Sequence, residues 1–431
     1  MSEHPVPAHA EPPVRRVAVL SIHTSPLDQP GAGDGGGLNV YVREVAARMA
    51  ARGIEVDIFT RRTSEDQPVS VRPAPGVVVH HLDAGPAKPI GKDAVANHLC
   101  SFLLALQQHP SAGSHDLIHA HYWLSGWVGR RVAPRWGVPL VQTFHTLAAL
   151  KNATLAPGDT PEPPLRLIAE ERVARAADRL LVLTCGEARW LHRTTGVSGA
   201  RMSVVPAGVD LERFSPGVAA RSDAPELLFV GRLQPLKGPD VAIRTLAAVR
   251  ATLPHVRLRI VGGVSGTGQG RTGPAELKRL ADSLGVADAV TFEGAVEQTD
   301  LVERYRAARV LLAPSRSETF GLVALEAQAT GLPVVAADVP GLQAVVRGGG
   351  TLVPGHDPGD HAAAVVRYLT EPVHAAAARR AGLAAAQAAS WDHTVDRLLA
   401  VYGDVVAERS GVTGSSAEVA VAPPAPAVRS A

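Results

Sequence analysis

The sequence has little cysteine and no long apolar run. Its 431 residues include only Cys100 and Cys185, too few to crosslink a chain of this length. We therefore expect a reducing, cytoplasmic compartment and two buried thiols. Apolar runs such as 310–313 are far shorter than the roughly 20 residues of a membrane helix, which predicts no membrane span. Residues 1–13 also lack the apolar core of a signal peptide.

An excess of charge of either sign is also missing. The 43 lysines and arginines stand against 41 acidic residues, a formal charge of +2. Nucleic-acid-binding domains are normally strongly basic, so we expect no nucleic-acid partner. Lysine itself is scarce, which draws attention to the positions that carry it: Lys88, Lys92, Lys151, Lys237 and Lys278.

Short β-branched runs alternate with amphipathic segments in two series along the chain. Each series is typical of a doubly wound parallel sheet, so we predict an α/β fold of two Rossmann-like domains. Ligands bind outside the carboxyl ends of such strands, which predicts a shared central cleft. The predicted bounds are a disordered tail over 1–14, an acceptor domain over 15–207, a linker over 208–225, a nucleotide-sugar domain over 226–390, a helix over 391–408 begun by Asp392, and a disordered tail over 409–431.

A run of glycines follows the first predicted strand. Residues 31–37 read GAGDGGG and precede a predicted helix, where backbone N–H groups and the helix dipole favour an anion. The spacing matches neither the dinucleotide-binding pattern nor a phosphate-binding loop with its lysine. We interpret the run as a point of close ligand approach; a flexible loop is the alternative.

Two cations lie just after the first predicted strand of the second domain. Arg232 and Lys237 stand in the segment GRLQPLKG, and Pro239 suits the first position of a helix. Positive groups there oppose the helix dipole unless an anion binds between them. A nucleotide diphosphate meets that requirement, and exposed surface charge is the alternative.

Two carboxylates eight positions apart, Glu318 and Glu326, follow a later strand of the second domain. Carboxylates accept hydrogen bonds from vicinal hydroxyls, so the pair suits a sugar and a ribose. Glu318 also has the spacing of a helix capping box with Ser315, which is the alternative interpretation.

Four histidines fall on predicted strands or at their ends. His119 and His121 alternate on one strand without a further ligand at metal-binding spacing, which favours packing over a metal. His23 and His145 end strands and are placed to point into the cleft, although a structural role is usual for a lone histidine.

Together these motifs resemble glycosyltransferase family 4, which implies a GT-B fold of two Rossmann-like domains and retaining transfer from a nucleotide sugar. From about Val14 to Tyr402 the chain is similar to the members of that family that act on D-inositol 3-phosphate in mycothiol biosynthesis. The similar stretches are 21–26 (SIHTSP), 33–41 (GDGGGLNVY), 118–126 (IHAHYWLSG), 145–152 (HTLAALKN) and 229–238 (FVGRLQPLKG). The resemblance implies transfer of N-acetylglucosamine from UDP-N-acetylglucosamine to 1D-myo-inositol 3-phosphate, the first step of that pathway.

The resemblance also implies site residues. Acceptor contacts would come from His23, Asp34, Gly35, Gly36, Gly37, Leu38, Asn39, Lys92, Tyr122, Thr146 and Arg166. Donor contacts would come from Gln29, Pro30, Gly37, Arg232, Lys237, Val296, Glu318 and Glu326, and we assign catalytic roles to His145, Arg232, Lys237 and Glu318. A structural Mg²⁺ would lie on main-chain oxygens of Tyr305, Arg306, Ala308 and Leu332, with no organic cofactor. The chain departs from the family pattern at Leu332 (usually Thr), Ser317 (usually Asn) and Phe144 (often smaller). A homodimer is the default expectation.

Retention normally requires a carboxylate nucleophile. No acidic residue in a cleft-facing loop of the first domain stands out for that role, so we predict front-face attack by the acceptor hydroxyl. Arg232 and Lys237 would hold the departing UDP, whose phosphate oxygen takes the proton, and His145 would position the donor sugar.

Two other functions stay open. The first is a family 4 enzyme with another acceptor, either sucrose-synthase-like or acting on a lipid sugar. No basic or aromatic face for a membrane is evident on the first-domain helices, which disfavours the lipid. The second is a sugar-nucleotide-binding regulator without turnover, against which the intact cations and carboxylates argue.

Overall fold

The computed structural model describes residues 14–31, 33–156, 159–218, 224–264 and 273–411, in two α/β domains. The first domain is built on a sheet of eight strands, in the spatial order β3-β4-β2-β1-β5-β6-β7-β8. All neighbours are parallel except β3 and β4. The strands are β1 (Arg16–Leu20), β2 (Glu55–Arg61), β3 (Ser70–Ala74), β4 (Val77–Leu82), β5 (Leu117–His121), β6 (Leu140–Thr143), β7 (Arg179–Val182) and β8 (Met202–Val204).

Helices cover both faces of this sheet. They are α1 (Gly37–Ala51), α2 (Lys92–Val95), α3 (Leu99–Gln108), α4 (Tyr122–Trp136), α5 (Ala148–Asn152), α6 (Pro164–Ala176) and α7 (Cys185–Thr195). Because both faces are covered, strand residues such as Val17, Val19 and Ile118 are buried, as a parallel sheet requires.

The second domain contains a parallel sheet of six strands, in the order β11-β10-β9-β12-β13-β14. Its strands are β9 (Glu226–Val230), β10 (Arg257–Val261), β11 (Val290–Gly294), β12 (Val310–Ala313), β13 (Val334–Ala337) and β14 (Gly350–Val353). Its helices are α8 (Pro239–Arg250), α9 (Pro274–Ser283), α10 (Gln298–Ala307), α11 (Leu322–Ala329), α12 (Pro340–Val345), α13 (Pro358–Thr370) and α14 (Pro372–Gln387). This strand order reverses between β9 and β12, as the order in the first sheet reverses between β1 and β5. The predicted pair of doubly wound domains is therefore confirmed.

The last helix, α15 (Trp391–Arg409), returns to the first domain and packs against α1. Tyr402 is fully buried and its hydroxyl lies 2.6 Å from His119 Nδ1 on β5. Arg52 at the end of α1 forms an ion pair with Asp392 at 3.1 Å. Asp392 is thus not the N-cap, as the sequence suggested; Ser390 is, because its Oγ accepts from the His393 N–H.

Several other expectations need correction. Both thiols are exposed, Cys100 on α3 and Cys185 at the start of α7, so neither is a core residue. The edge strands β3 and β14 were not predicted. Residues 1–13 and 412–431 of the two predicted tails lie outside the described residues, and at the inner end of the first tail Val14 is buried.

Basic and apolar side chains occur on two neighbouring helices of the first domain. Trp127 on α4 lies between the guanidinium groups of Arg130 and Arg131, at 4.0 and 4.1 Å from the ring centre. Leu165 and Ile168 on the neighbouring α6 are exposed. No helix in the described ranges is both long enough and apolar enough to span a membrane.

A candidate active site in the interdomain cleft

A cleft of about 450 Å³ lies between the two domains. Residues that follow β1, β5, β9 and β12 line it, so it occupies the reversal point of strand order in both sheets. This is where open α/β sheets bind their ligands. The predicted residues that line it are His23, Pro30, Asp34, Gly36, Gly37, Leu38, Lys92, Tyr122, His145, Thr146, Arg166, Arg232, Lys237, Val296, Glu318 and Glu326.

Three predicted residues do not line the cleft. Gln29 is exposed, and Gly35 is buried with its carbonyl accepting from the Gly31 N–H at 3.1 Å. Asn39 is fully buried: its Oδ1 accepts from Gly36 N–H, and its Nδ2 donates to Thr24 and Ser25. Its side chain therefore shapes the glycine-rich loop and has no group left for the acceptor.

We name the second-domain side of the cleft the donor wall and the first-domain side the acceptor wall, after the ligands predicted for them. The donor wall carries the two predicted cations, Arg232 and Lys237. Lys237 Nζ lies 2.6 Å from Glu318 Oε2, so the lysine is paired with a carboxylate. Burial lowers the pKa of Arg232, while Asp34 and Glu318 raise it, and an arginine stays charged in either case. Glu318 also accepts from the Thr319 N–H at 3.2 Å. The alternative capping box with Ser315 does not form, because the helix begins at Leu322 with Gly321 as its N-cap.

Two glycines allow the backbone segments of this wall to pack closely. Gly238, directly after Lys237, has φ +71°, and a Cβ there would lie 2.4 Å from the Pro314 carbonyl oxygen. Gly341 on α12 approaches the Glu318 carbonyl so closely that a Cβ would lie 2.2 Å away. Backbone packing therefore fixes both halves of the Lys237–Glu318 pair.

The second carboxylate of the predicted pair is buried on α11. Glu326 Oε2 accepts a hydrogen bond from Tyr305 OH at 2.8 Å. Burial raises the pKa of Glu326 to about 7, although the Tyr305 hydroxyl opposes the shift. The residue still lines the cleft, so its charge near neutral pH depends on what binds beside it.

The acceptor wall of the first domain centres on Arg166, which is 2% exposed. Its Nη2 donates to Thr146 Oγ1 at 2.9 Å, and its guanidinium lies over the Tyr122 ring at 4.8 Å from the centre. Tyr122 in turn packs on His23, with ring centres 4.3 Å apart. The structure thus brings four of the predicted acceptor residues into contact.

Sequence reasoning missed two residues of this wall, Lys151 and Glu162. Glu162 lies among Lys92, Lys151 and Arg166, forming ion pairs with all three. Burial alone would raise the pKa of Glu162, but these cations lower it to about 2. Lys151 lies within the HTLAALKN stretch, and the scarcity of lysine was the signal that could have found it.

Four acidic residues in the described part of the first domain line the cleft. Besides Glu162, the side chains of Asp34, Asp93 and Asp159 line it. The ion pairs described above hold the Glu162 side chain. The negative charge of Asp34 acts on the Arg232 guanidinium and raises its pKa. The prediction that none of the first domain's acidic residues serves as a nucleophile stays a prediction, since lining the cleft does not assign that role.

Three buried histidines form a group at the cleft, of which His145 lines the cleft itself. His121 Nδ1 lies 2.8 Å from His145 Nε2, and His119 Nε2 lies 2.9 Å from Thr143 Oγ1. Burial lowers the pKa of His119 and His145 to about 3, so both rings are neutral at physiological pH. His119 packs as expected. No group of three or more metal-binding side chains occurs among the described residues.

His145 and Tyr122 are unusual in their backbone. Their φ angles are +61° and +71°, a region that non-glycine residues seldom occupy. Both residues line the cleft directly after strands, where such strain is often found at functional sites.

The four residues expected to bind Mg²⁺ line a second pocket, of about 350 Å³, in the second domain. Tyr305 and Arg306 lie in the last turn of α10, Ala308 follows it, and Leu332 precedes β13. Carbonyl groups in the last turn of a helix have no partner within the helix. A set of neutral oxygens of this kind fits a hard cation, so the residues present are compatible with Mg²⁺.

Two Rossmann-like domains facing a cleft, with a cationic donor wall, define the chain as a glycosyltransferase of the GT-B class. The family model "Glycosyl transferase 4-like domain" matches residues 36–208, and "Glycosyl transferases group 1" matches residues 211–385. The two matches meet between the domains.

Curated relatives narrow the class. The D-inositol 3-phosphate glycosyltransferase of Acidothermus cellulolyticus is 52% identical over 92% of this chain and 91% of its own length. That of Thermobifida fusca is 50% identical over 91% of this chain and 94% of its own. The chain belongs to this family of D-inositol 3-phosphate glycosyltransferases.

Solved structures agree on the fold. Sucrose-phosphate synthase from Thermosynechococcus elongatus is 32% identical, with a TM-score of 0.83 over 91% of this chain and all of that one. The Anabaena protein HepE, solved with UDP and glucose, has a TM-score of 0.67 at 18% identity, over 93% of this chain and all of that one, which supports the fold alone.

Proposed function

We propose that the protein transfers N-acetylglucosamine from UDP-N-acetylglucosamine to 1D-myo-inositol 3-phosphate with retained anomeric configuration, as the first step of mycothiol biosynthesis. One observation carries this proposal: the cleft has separate cationic groups on its two walls. Lys92 and Arg166 lie on the first domain, and Arg232 and Lys237 lie on the second. A donor diphosphate and an acceptor phosphate would each have their own cations.

The donor wall supports loss of a diphosphate leaving group. Charge develops on the leaving phosphate oxygen as the glycosidic bond breaks, and fixed cations stabilise that charge. Lys237 is fixed by its contact with Glu318, at 2.6 Å, so little reorganisation is needed when the donor binds. Arg232 adds a planar fork beside it.

Front-face attack remains our proposal for the retaining step. The acceptor hydroxyl would attack from the side of the departing UDP, and the leaving phosphate oxygen would accept its proton. His145 is neutral, because burial lowers its pKa to about 3, and it lines the cleft. A neutral ring can hydrogen-bond to a sugar hydroxyl without adding charge.

A different sugar-phosphate acceptor is the second candidate, supported by the likeness to sucrose-phosphate synthase. Release of UDP from UDP-N-acetylglucosamine, measured with inositol 3-phosphate, free inositol and a hexose monophosphate, tests both. We expect turnover with inositol 3-phosphate that exceeds the other two by at least a hundredfold. Preference for the hexose monophosphate would support the second candidate, and UDP binding without turnover would support a regulator.

Three further features belong to this proposal. We propose that Mg²⁺ binds the main-chain oxygens at Tyr305, Arg306, Ala308 and Leu332 and stabilises the second domain, which a rise in Tm with MgCl₂ would test. We propose a homodimer, which light scattering would test, and a cytoplasmic location.

A further inference from the structure

Three cations of the acceptor wall share one buried carboxylate. Lys92 Nζ and Lys151 Nζ both contact Glu162 Oε1, the first at 3.4 Å. Arg166 Nη1 lies 2.8 Å from the other oxygen, Glu162 Oε2. The ion pairs of Glu162 therefore connect α2, α5 and α6.

The backbone of Glu162 is hydrogen-bonded to a side chain of α5. Its N–H donates to Asn152 Oδ1 at 2.7 Å, and Asn152 is the last residue of α5. The Glu162 side chain is 4% exposed, whereas those of Lys92 and Lys151 are 32% and 26% exposed. The carboxylate thus lies beneath the two ammonium groups, which keep a surface open to the cleft.

Arg166 has few free donors left for a ligand. Its Nε is bound to Glu170 Oε1 at 2.7 Å, its Nη1 faces Glu162, and its Nη2 donates to Thr146. The lysines are less committed, since each has one carboxylate contact among the described residues and three donor hydrogens. The open positive charge on this wall is therefore carried mainly by Lys92 and Lys151.

We infer that Lys151 is a further ligand of the acceptor phosphate, and that Glu162 is a positioning residue that holds Lys92, Lys151 and Arg166 for it. This inference rests on the proposed phosphate-bearing acceptor. Two ammonium groups on one carboxylate oxygen converge on a small anion. Glu162 offsets only one of the three positive charges around it, so the group still favours an anion such as phosphate over a neutral group.

The first test is Lys151→Ala, with Lys88→Ala as the matched control. Lys88 is an exposed lysine of the same domain that does not line the cleft. Loss of one charge-assisted contact should raise KM for inositol 3-phosphate about 10- to 100-fold with kcat within about twofold. The control should keep the wild-type KM. A Lys151→Ala KM equal to that of the control would overturn the inference.

The second test concerns Glu162. If it acts by positioning, Glu162→Gln should raise KM for inositol 3-phosphate, and Glu162→Asp should raise it less. Lys151→Ala should then raise this KM by a smaller factor in the Glu162→Gln background than in the wild type. Purely additive effects would contradict the positioning role. Should Glu162→Gln fail to fold, the comparison of Glu162→Asp with wild type decides in its place.

A separate readout distinguishes this inference from the proposed function. Inorganic phosphate should raise the Tm of the wild type and of Lys88→Ala, and should do so much less for Lys151→Ala. If the wild type does not use inositol 3-phosphate but this pattern holds, the acceptor assignment fails and the phosphate subsite stands. If phosphate protects Lys151→Ala as well as wild type, Lys151 is not a ligand.

Discussion

Replacing Lys237 with alanine tests the donor wall most sharply. Lys237 Nζ lies 2.6 Å from Glu318 Oε2, and the two side chains are 24% and 20% exposed. The change removes a fixed cation from the leaving diphosphate and leaves the Glu318 carboxylate unpaired beside it. Loss of one preorganised donor at a developing charge lowers kcat by about 10²- to 10³-fold. The free carboxylate should also raise KM for the donor.

The two effects can be separated. Lys237→Ala combined with Glu318→Gln removes the unpaired charge but also alters a predicted donor contact, so donor KM should recover in part while kcat stays low. Lys278→Ala is the matched control, because Lys278 is an exposed lysine of the same domain outside the cleft. UDP release at saturating donor measures each variant. Wild-type kcat for Lys237→Ala would refute the leaving-group role.

Three other changes test separate features. Asn39→Ala should leave the Gly36 N–H and Ser25 carbonyl unpaired, which should lower the free energy of unfolding by about 1–3 kcal/mol. It should also raise donor KM. Unchanged kinetics would show that the loop keeps its shape without Asn39. Because the pKa of Glu326 is about 7, donor affinity measured by calorimetry should increase from about pH 6 to about pH 8 as the carboxylate ionises. Glu326→Gln should abolish this pH dependence. If the variant keeps it, another group is responsible. Asp57→Asn should destabilise the first domain by about 3–5 kcal/mol at neutral pH, because Asp57 is buried among His115, His80 and Arg16. Burial alone would raise the pKa of Asp57, yet these hydrogen bonds hold it well below its ordinary value, so the stabilisation is complete above about pH 4 and is lost as pH falls further. Denaturant unfolding should therefore show a difference from wild type that shrinks in acid; a constant difference would contradict this.

Segments with a clear local sequence pattern made most of the fold predictable. The buried strands β1, β9 and β12 are mostly apolar, and β5 alternates apolar residues with His119 and His121, so all four were predictable, and their carboxyl ends located the cleft. The strand β3 was missed because it is an exposed antiparallel edge containing Pro73. The return of α15 to the first domain depends on tertiary contacts, such as Tyr402 with His119, that no local pattern encodes.

The cleft residues likewise include some that the sequence predicted and others that it did not. Arg232, Lys237 and Glu318 stand in recognisable motifs at strand ends, and the structure brings them together. Glu162 stands in a segment without periodicity, and its ion pairs form only when α5 and α6 meet. Asn39 shows the opposite case, because its place in a motif suggested ligand contact while its side chain is used within the loop.

The measurement that tests the central claim most directly is UDP release from UDP-N-acetylglucosamine with and without the phosphate on inositol. The two cationic walls predict rapid release with inositol 3-phosphate and at least a hundredfold lower kcat/KM with free inositol, with the new bond in the same anomeric configuration as in the donor. Equal kcat/KM for the two acceptors would contradict the assignment of Lys92 and Arg166 to an acceptor phosphate, and with it the proposed reaction.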